Sequence, residues 1–265
     1  MGRISKYLGV TTESLRHYQK YSILEPKKDK DSTYKYYDPI SVGRLLAMRK
    51  MRTAGYSLAD ISKNMTEFSV QEYYRTFYEN TQSAKRKLEY QKILIERMEC
   101  HLKFVEKLFN EDFSFEIEKS PDYYCFDYMV GNNLILQEQP YLKQFARWSE
   151  YMLFVLNYSP CSFDILDEGI NEIKIGLLAE EKFVNFFDLD TTGLVYKRES
   201  KLCVTCPIRH NLHGKLIGKI KLQDIQEYLS QNNLTPTDEP FFVGEVSFHQ
   251  KGEEFFYSKL YIPIE

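Results

Sequence analysis

The chain has 265 residues, 43% of them hydrophobic, with 21 Tyr, 18 Phe, 5 Cys and a formal net charge of -3. That length allows two or three modules, each with its own core, while no apolar run reaches the roughly eighteen residues of a membrane span. The start, MGRISKYLGV, lacks the apolar stretch and cleavage site of a secretion signal, and an odd number of scattered cysteines suits a reducing compartment, so a cytoplasmic protein without a membrane anchor is expected.

The near-neutral total hides a strong asymmetry. Residues 1–66 hold 13 Lys and Arg against 6 Asp and Glu, and the remainder holds 22 against 32. A basic head on an acidic body points to one module that faces phosphates and another with a different task. The head reads as short helices. ISKYLGV is a helix closed by Gly9, Thr11 is a good N-cap for a second helix TESLRHYQKY, and the tight glycine turn between them makes a helix-turn-helix. The polar KKDKDSTYKYYDP then predicts a small hairpin wing around Tyr34-Lys35-Tyr36-Tyr37. Two further helices follow, ISVGRLLAMRKMRTAG ended by Gly55 and SLADISKNM capped by Ser57.

From about 70 to 110 the periodicity is cleanest. Phe77, Thr81, Ala84, Leu88, Gln91, Ile95, Met98, Leu102, Val105 and Phe109 succeed one another in steps of four and three, with Lys, Glu and Arg between them. That spacing predicts one long helix with a coiled-coil seam. No second helix of similar length exists in the chain, so a second copy is the expected partner.

After Pro121 the pattern changes to strands around two helices. Strands are expected at YYCFDYMVG, INEIKIGLLA, FVNFFDL and LCVTCPIRHN, helices at EQPYLKQFARWSEYMLFVLN and KLQDIQEYLSQNNL, and a hairpin at FFVGEVSFHQ and EEFFYSKLYIPI. This is a β-α-β-β unit used twice, with a concave face between the halves suited to a small molecule. The fold class is therefore α+β: a winged helix-turn-helix head at 1–70, a dimerisation helix at 71–112, antiparallel to its copy, and a duplicated β-α-β-β domain at 113–265.

Several linked motifs carry a resemblance. Gly9-Val10-Thr11, Leu15-Arg16-His17-Tyr18-Gln19, Ile23-Leu24-Glu25-Pro26, Tyr34-Lys35-Tyr36-Tyr37 and Met51-Arg52-Thr53-Ala54-Gly55-Tyr56-Ser57-Leu58 stand in the order of the MerR family of transcription regulators. His17 and Gln19 replace that family's usual Tyr and Glu. The tail, most clearly Pro240-Phe241-Phe242 through Leu260-Tyr261-Ile262-Pro263-Ile264, resembles the GyrI-like effector-binding domain. The resemblance implies a homodimer that distorts promoter DNA for RNA polymerase in response to a small organic, aromatic or hydrophobic effector. It implies no cofactor, and neither a catalytic set nor a metal set is expected.

The DNA-facing residues are expected to be Thr12, Arg16, His17, Tyr18 and Lys20 on the second helix, Tyr36 and Tyr37 on the wing, and Arg52 on a phosphate. Among the many tail aromatics, Tyr128, Trp148, Tyr151, Phe242 and Tyr257 are expected at the effector, with Asp127 and Glu245 as carboxylates for a cation. In the family's drug-binding relatives an acidic residue follows the aromatic of the Pro-aromatic step; here Phe242 stands there. Strand alternation would turn Glu245, three residues on, to the face opposite Phe242. Cys203 and Cys206 form a C-x-x-C within a strand, where they should point to opposite faces, which disfavours a zinc site or a dithiol. Two alternatives, a GyrI-like hydrolase joined to a DNA-binding head and a thiol- or metal-responsive regulator, both lack a supporting constellation.

Overall fold

A computed structural model describes residues 5–6, 9–28, 35–66, 69–131, 133–135, 139–169, 173–211, 213–250 and 253–265. The chain divides into two compact units, Met1–Ile93 and Leu94–Glu265, a division that falls inside the long helix.

In the first unit Gly9 takes φ 59° and the Val10 N–H reaches the Ser5 carbonyl at 3.1 Å, so the opening turn closes at the glycine. Helix α1, Thr12–Lys20, starts at Thr11, whose hydroxyl accepts the Ser14 N–H at 3.0 Å. Its end is set by Ser22 at φ 54° and a bond from the Ile23 N–H to the Tyr18 carbonyl, which swings Ile23 and Leu24 into the core. The wing is strand β1, Lys27–Lys28, paired antiparallel with β2, Lys35–Tyr36; the expected turn and Tyr34 lie outside the described residues. Helix α2, Pro39–Thr53, is capped by Asp38, and Gly55 at φ 90° ends it with the Tyr56 N–H on the Met51 carbonyl. The Lys27 ammonium and the Ser41 donors hold the Asp38 carboxyl well below its usual range. Helix α3, Leu58–Thr66, begins at Ser57, which exchanges hydrogen bonds with Asp60. Leu15, Ile23, Leu24, Leu45, Met48, Met51, Tyr56 and Ile61 fill the core, and Tyr73 and Phe77 from the next helix pack against it.

That helix, α4, runs from Val70 to Phe109 as one 40-residue element. Ser69 and Glu72 cap its start reciprocally, at 2.7 and 3.3 Å.

The second unit is built on one antiparallel sheet. In chain order it carries β3 (Glu116–Lys119), β4 (Tyr123–Val130), β5 (Asn133–Leu134), α5 (Gln139–Ser149), β6 (Val155–Pro160), α6 (Phe163–Glu168), β7 (Lys174–Glu180) and α7 (Glu181–Phe187). It continues with β8 (Val195–Arg198), β9 (Leu202–His210), α8 (Leu222–Gln231), β10 (Phe241–Gln250) and β11 (Glu253–Pro263). The strand order is β3-β9-β11-β10-β6-β7-β4-β5, with β8 also on β4. The units β4-α5-β6-β7 and β9-α8-β10-β11 are thus two copies of one β-α-β-β pattern, joined where β6 pairs with β10 through Phe242↔Ser159.

Two elements differ from expectation. The helix expected to reach Asn157 stops at Ser149, and Val155–Pro160 becomes a central strand bonded to both β7 and β10. The run VLNYSP buries Val155, Tyr158 and Ser159 and leaves Asn157 exposed, and pairing with β7 and β10 on both edges overrides the helical phase that precedes it. Conversely FVNFF, expected as a strand, forms α7, because Phe183, Val184 and Phe187 share one helical face and are all buried. The short β3, α6 and β8 lie in segments with no expected element.

Opposite faces of the sheet bury different clusters. Val204, Cys206, Ile208, Phe242, Leu260 and Ile262 pack with Ile225 and Leu229 of α8, while Tyr123, Cys125, Tyr158, Cys203, Phe241, Val243 and Tyr261 form the other. Cys203 and Cys206 therefore do fall on opposite sides.

Candidate functional site

On α1 the inward residue is Leu15, and helical spacing leaves Thr12, Arg16, His17 and Lys20 exposed around it. Tyr18 is half-buried against the core. The His17 ring stands edge-on to Tyr21 at 5.3 Å. Of the wing tyrosines, Tyr36 is exposed, whereas Tyr37 packs on the core and its hydroxyl accepts the Gln19 amide at 2.6 Å. The Arg52 guanidinium donates to the Tyr56 carbonyl at 2.7 Å and so fastens the turn after α2.

In the second unit a cavity of about 290 Å³ opens on the sheet where the two halves meet. Tyr128, Asn157, Ile175, His210, Phe242, Glu245, Phe256 and Ser258 contribute to its wall. His210 ends β9 on the same parity as Val204, Cys206 and Ile208, so the strand delivers an imidazole where three apolar side chains precede it. Its Nδ1 lies 2.9 Å from the Asn211 carbonyl, which fixes the proton there, and Nε2 accepts the Ser258 hydroxyl at 2.8 Å. Burial drives its pKa down to about 4 against the raising effect of the Asn211 bond, so the ring is neutral near pH 7. It lies between Phe242 and Phe256, at 4.4 and 5.5 Å between ring centres.

Glu245 lines the same cavity as Phe242. The alternation that would separate them is broken by a register shift between Gly244 and Val246, which places Glu245 in a β-bulge. Its carboxylate accepts both Arg97 Nη2 contacts, at 3.0 and 3.2 Å, and the His101 Nδ1–H at 3.1 Å, all from α4.

The other expected ligand residues sit elsewhere. Asp127 shares the side of β4 that carries Cys125, away from Tyr128, and accepts the Tyr158 hydroxyl at 2.5 Å and that of Tyr196 at 3.2 Å. Burial raises both phenols above their usual range. Trp148 is fully buried and donates its indole N–H to the Asp190 carbonyl at 3.1 Å. Tyr151 is half-buried and stacks on Phe187 at 4.1 Å between ring centres, away from the cavity wall. Tyr257 lies on the strand face opposite Phe256 and Ser258, with Phe248 and Phe255.

The head matches the family model described as "MerR HTH family regulatory protein" over residues 1–67. Residues 1–67 form a MerR-family helix-turn-helix domain. Nodulation protein NolA of Bradyrhizobium elkanii is 34% identical over 65 residues, 24% of this chain and 30% of that protein, so the shared part is under a third of the relative's length. Among solved structures, the chain is similar to one described as an EcmrR–DNA complex in EcmrR-RPo, at 15% identity and a TM-score of 0.39, covering 100% of this chain and 98% of that one. The EcmrR C-terminal domain matches 58% of this chain and 98% of its own at 11% identity and a TM-score of 0.33.

Within the MerR head the exposed set Thr12, Arg16, His17, Lys20 and Tyr36 is distinct from Tyr18 and Tyr37, which are partly core, and from Arg52, which is engaged by backbone. Sequence reading missed His210, Asn157 and Ser258 at the cavity, and Arg97 and His101 behind Glu245. His210 had a signal, a polar residue at the next inward position of an apolar strand. The pair on α4 had none, because only the fold brings residues about 150 positions apart together. No group of three or more His, Cys, Asp or Glu able to hold a metal occurs among the described residues, and none of their helices is long and apolar enough to cross a membrane. Burial pushes the Cys206 thiol up to about 12 and the Cys203 thiol upward, the reverse of what a reactive thiolate requires.

Proposed function

We propose that the protein is a dimeric transcription regulator whose MerR head binds duplex promoter DNA and whose C-terminal domain senses a small, neutral aromatic molecule. The observation that carries the DNA reading is the exposed group Arg16, His17 and Lys20 on α1, the helix that follows the turn, within a head of strongly positive charge. Arg16 and Lys20 lie one helical turn apart, as a helix laid in the major groove requires. Dimerisation rests on α4, where Leu88, Ile95, Met98, Leu102 and Phe109 of the heptad seam are all exposed in the single chain. Such a stripe on a helix is unstable in water without a partner, and a second copy supplies matching heptads.

The cavity supports the sensing role. Neutral His210 between two phenylalanine rings, with Tyr128 and Asn157 as polar handles, suits a flat apolar ligand that carries a hydrogen-bonding group. Ligand binding would act by population shift, favouring the promoter-distorting state in proportion to its preference for that state. RNA polymerase would be the partner that reads the distorted promoter.

The test is fluorescence anisotropy on a duplex selected from random sequence by the full-length protein. Arg16→Ala should weaken binding by about 1–3 kcal/mol if Arg16 reads a base edge. Wild-type affinity in that variant would refute the assignment of α1 to the groove.

A further inference from the structure

Glu245 lines the proposed ligand cavity, yet its charge is already answered from outside it. Arg97 places one nitrogen on both carboxylate oxygens, at 3.0 and 3.2 Å, and anchors its Nε–H on the Leu153 carbonyl at 3.0 Å. The two side chains are only 9% and 10% exposed. His101, one turn further along α4, adds a third hydrogen bond to the same carboxylate.

We infer that Arg97 is a built-in cation for this carboxylate and a specificity-determining residue: it closes the cavity to cationic ligands and leaves it to neutral aromatic ones. The inference rests on reading the cavity as a ligand site. A buried carboxylate without a counter-charge would draw in an ammonium or amidinium, because the guest relieves an uncompensated charge. With Arg97 in place that gain is absent. An entering cation would find the carboxylate already bonded, or would displace Arg97 and leave a buried guanidinium unpaired. Phe242, Phe256 and the uncharged His210 supply no second anion to offset either loss. The bulge at Gly244–Val246 is what lets one carboxylate reach both the cavity and the helix.

The experiment uses two probes of one shape, biphenylmethanol and biphenylmethylammonium, titrated calorimetrically into the full-length wild type, Arg97→Met and Arg97→Met/Glu245→Gln. The wild type should prefer the alcohol. Arg97→Met should bind the ammonium at least about tenfold more tightly than the wild type does, and the double variant should lose that gain. Arg97→Gln, which keeps an N–H donor for Leu153, replaces the Met variant if the latter does not fold. A second measurement needs no aromatic ligand: millimolar methylguanidinium should raise the melting temperature of Arg97→Ala and leave the wild type and Arg97→Ala/Glu245→Gln unchanged. If neither biphenyl binds any form but methylguanidinium rescues Arg97→Ala, the ligand reading of the cavity fails and the role of Arg97 as the carboxylate's cation stands. If the ammonium binds the wild type as well as the variant, or methylguanidinium rescues nothing, the inference is overturned.

Discussion

At His210 the packing of a single ring decides both chemistry and stability. The imidazole is walled by Phe242, Phe256 and Ser258, and its two nitrogens are committed to Asn211 and Ser258. Its pKa is lowered from 6.5 to about 4, with burial the first cause. Between those values the unfolded chain binds a proton that the folded one refuses. Stability is therefore full above about pH 6.5 and falls as the pH drops towards 4, by on the order of 3 kcal/mol. Urea unfolding across this window should show that decline, and His210→Gln should remove most of it; an unchanged slope in the variant would mean that the ring titrates freely. Gly176 offers a second case. A Cβ there would overlap the Tyr158 ring and come within 2.9 Å of the Asp127 carboxylate, both of which close over it. Gly176→Ala should destabilise by about 1–3 kcal/mol through forced repacking, measured as a lower urea midpoint with the same slope. Neither effect was legible in the sequence. His210 showed its inward parity but not its neighbours, and Gly176 looked like any glycine in a strand, since the Tyr158 ring that crowds it comes from the adjacent strand.

Elements that depend on local chemistry were the ones the sequence disclosed. Thr11 and Ser57 each cap the helix that follows, and Gly9 and Gly55 close turns in the left-handed region. Elements governed by partners were not. The run after Ser149 continues an amphipathic phase, yet pairing with β7 and β10 makes it a strand, and the aromatic FVNFF that suits a strand is taken by α7. The β-bulge is the most consequential miss, because it reverses the side of β10 on which Glu245 should lie. For α4 the heptad spacing was plain, and its exposure in the single chain leads to a direct test. Leu88→Glu puts a charge at the centre of the seam, where it would be desolvated against its own copy. Sedimentation should show dimers of the wild type and monomers of the variant at the same micromolar concentration, with helical content nearly unchanged; an undisturbed dimer would place the interface elsewhere.

For the whole molecule the distribution of charge matters more than its sum. A total of -3 conceals 13 basic against 6 acidic residues in positions 1–66, followed by 22 against 32 in the rest. DNA affinity from phosphate neutralisation must then come from the head, and each neutralised phosphate contributes about 0.9 to the slope of log affinity against log salt. A dimer presents two heads, so it releases twice the counterions that one head does. The Leu88→Glu chain keeps every residue of the MerR head and loses only its partner. Its salt slope on the selected duplex should be about half that of the wild type, whereas Arg16→Ala in an intact dimer should lower the slope by about one for each head if Arg16 meets a phosphate, and leave it nearly unchanged if it reads a base. Anisotropy titrations over a salt series distinguish these outcomes. Equal slopes for wild type and Leu88→Glu would show that the heads bind singly, and promoter distortion between paired half-sites would lose its physical basis.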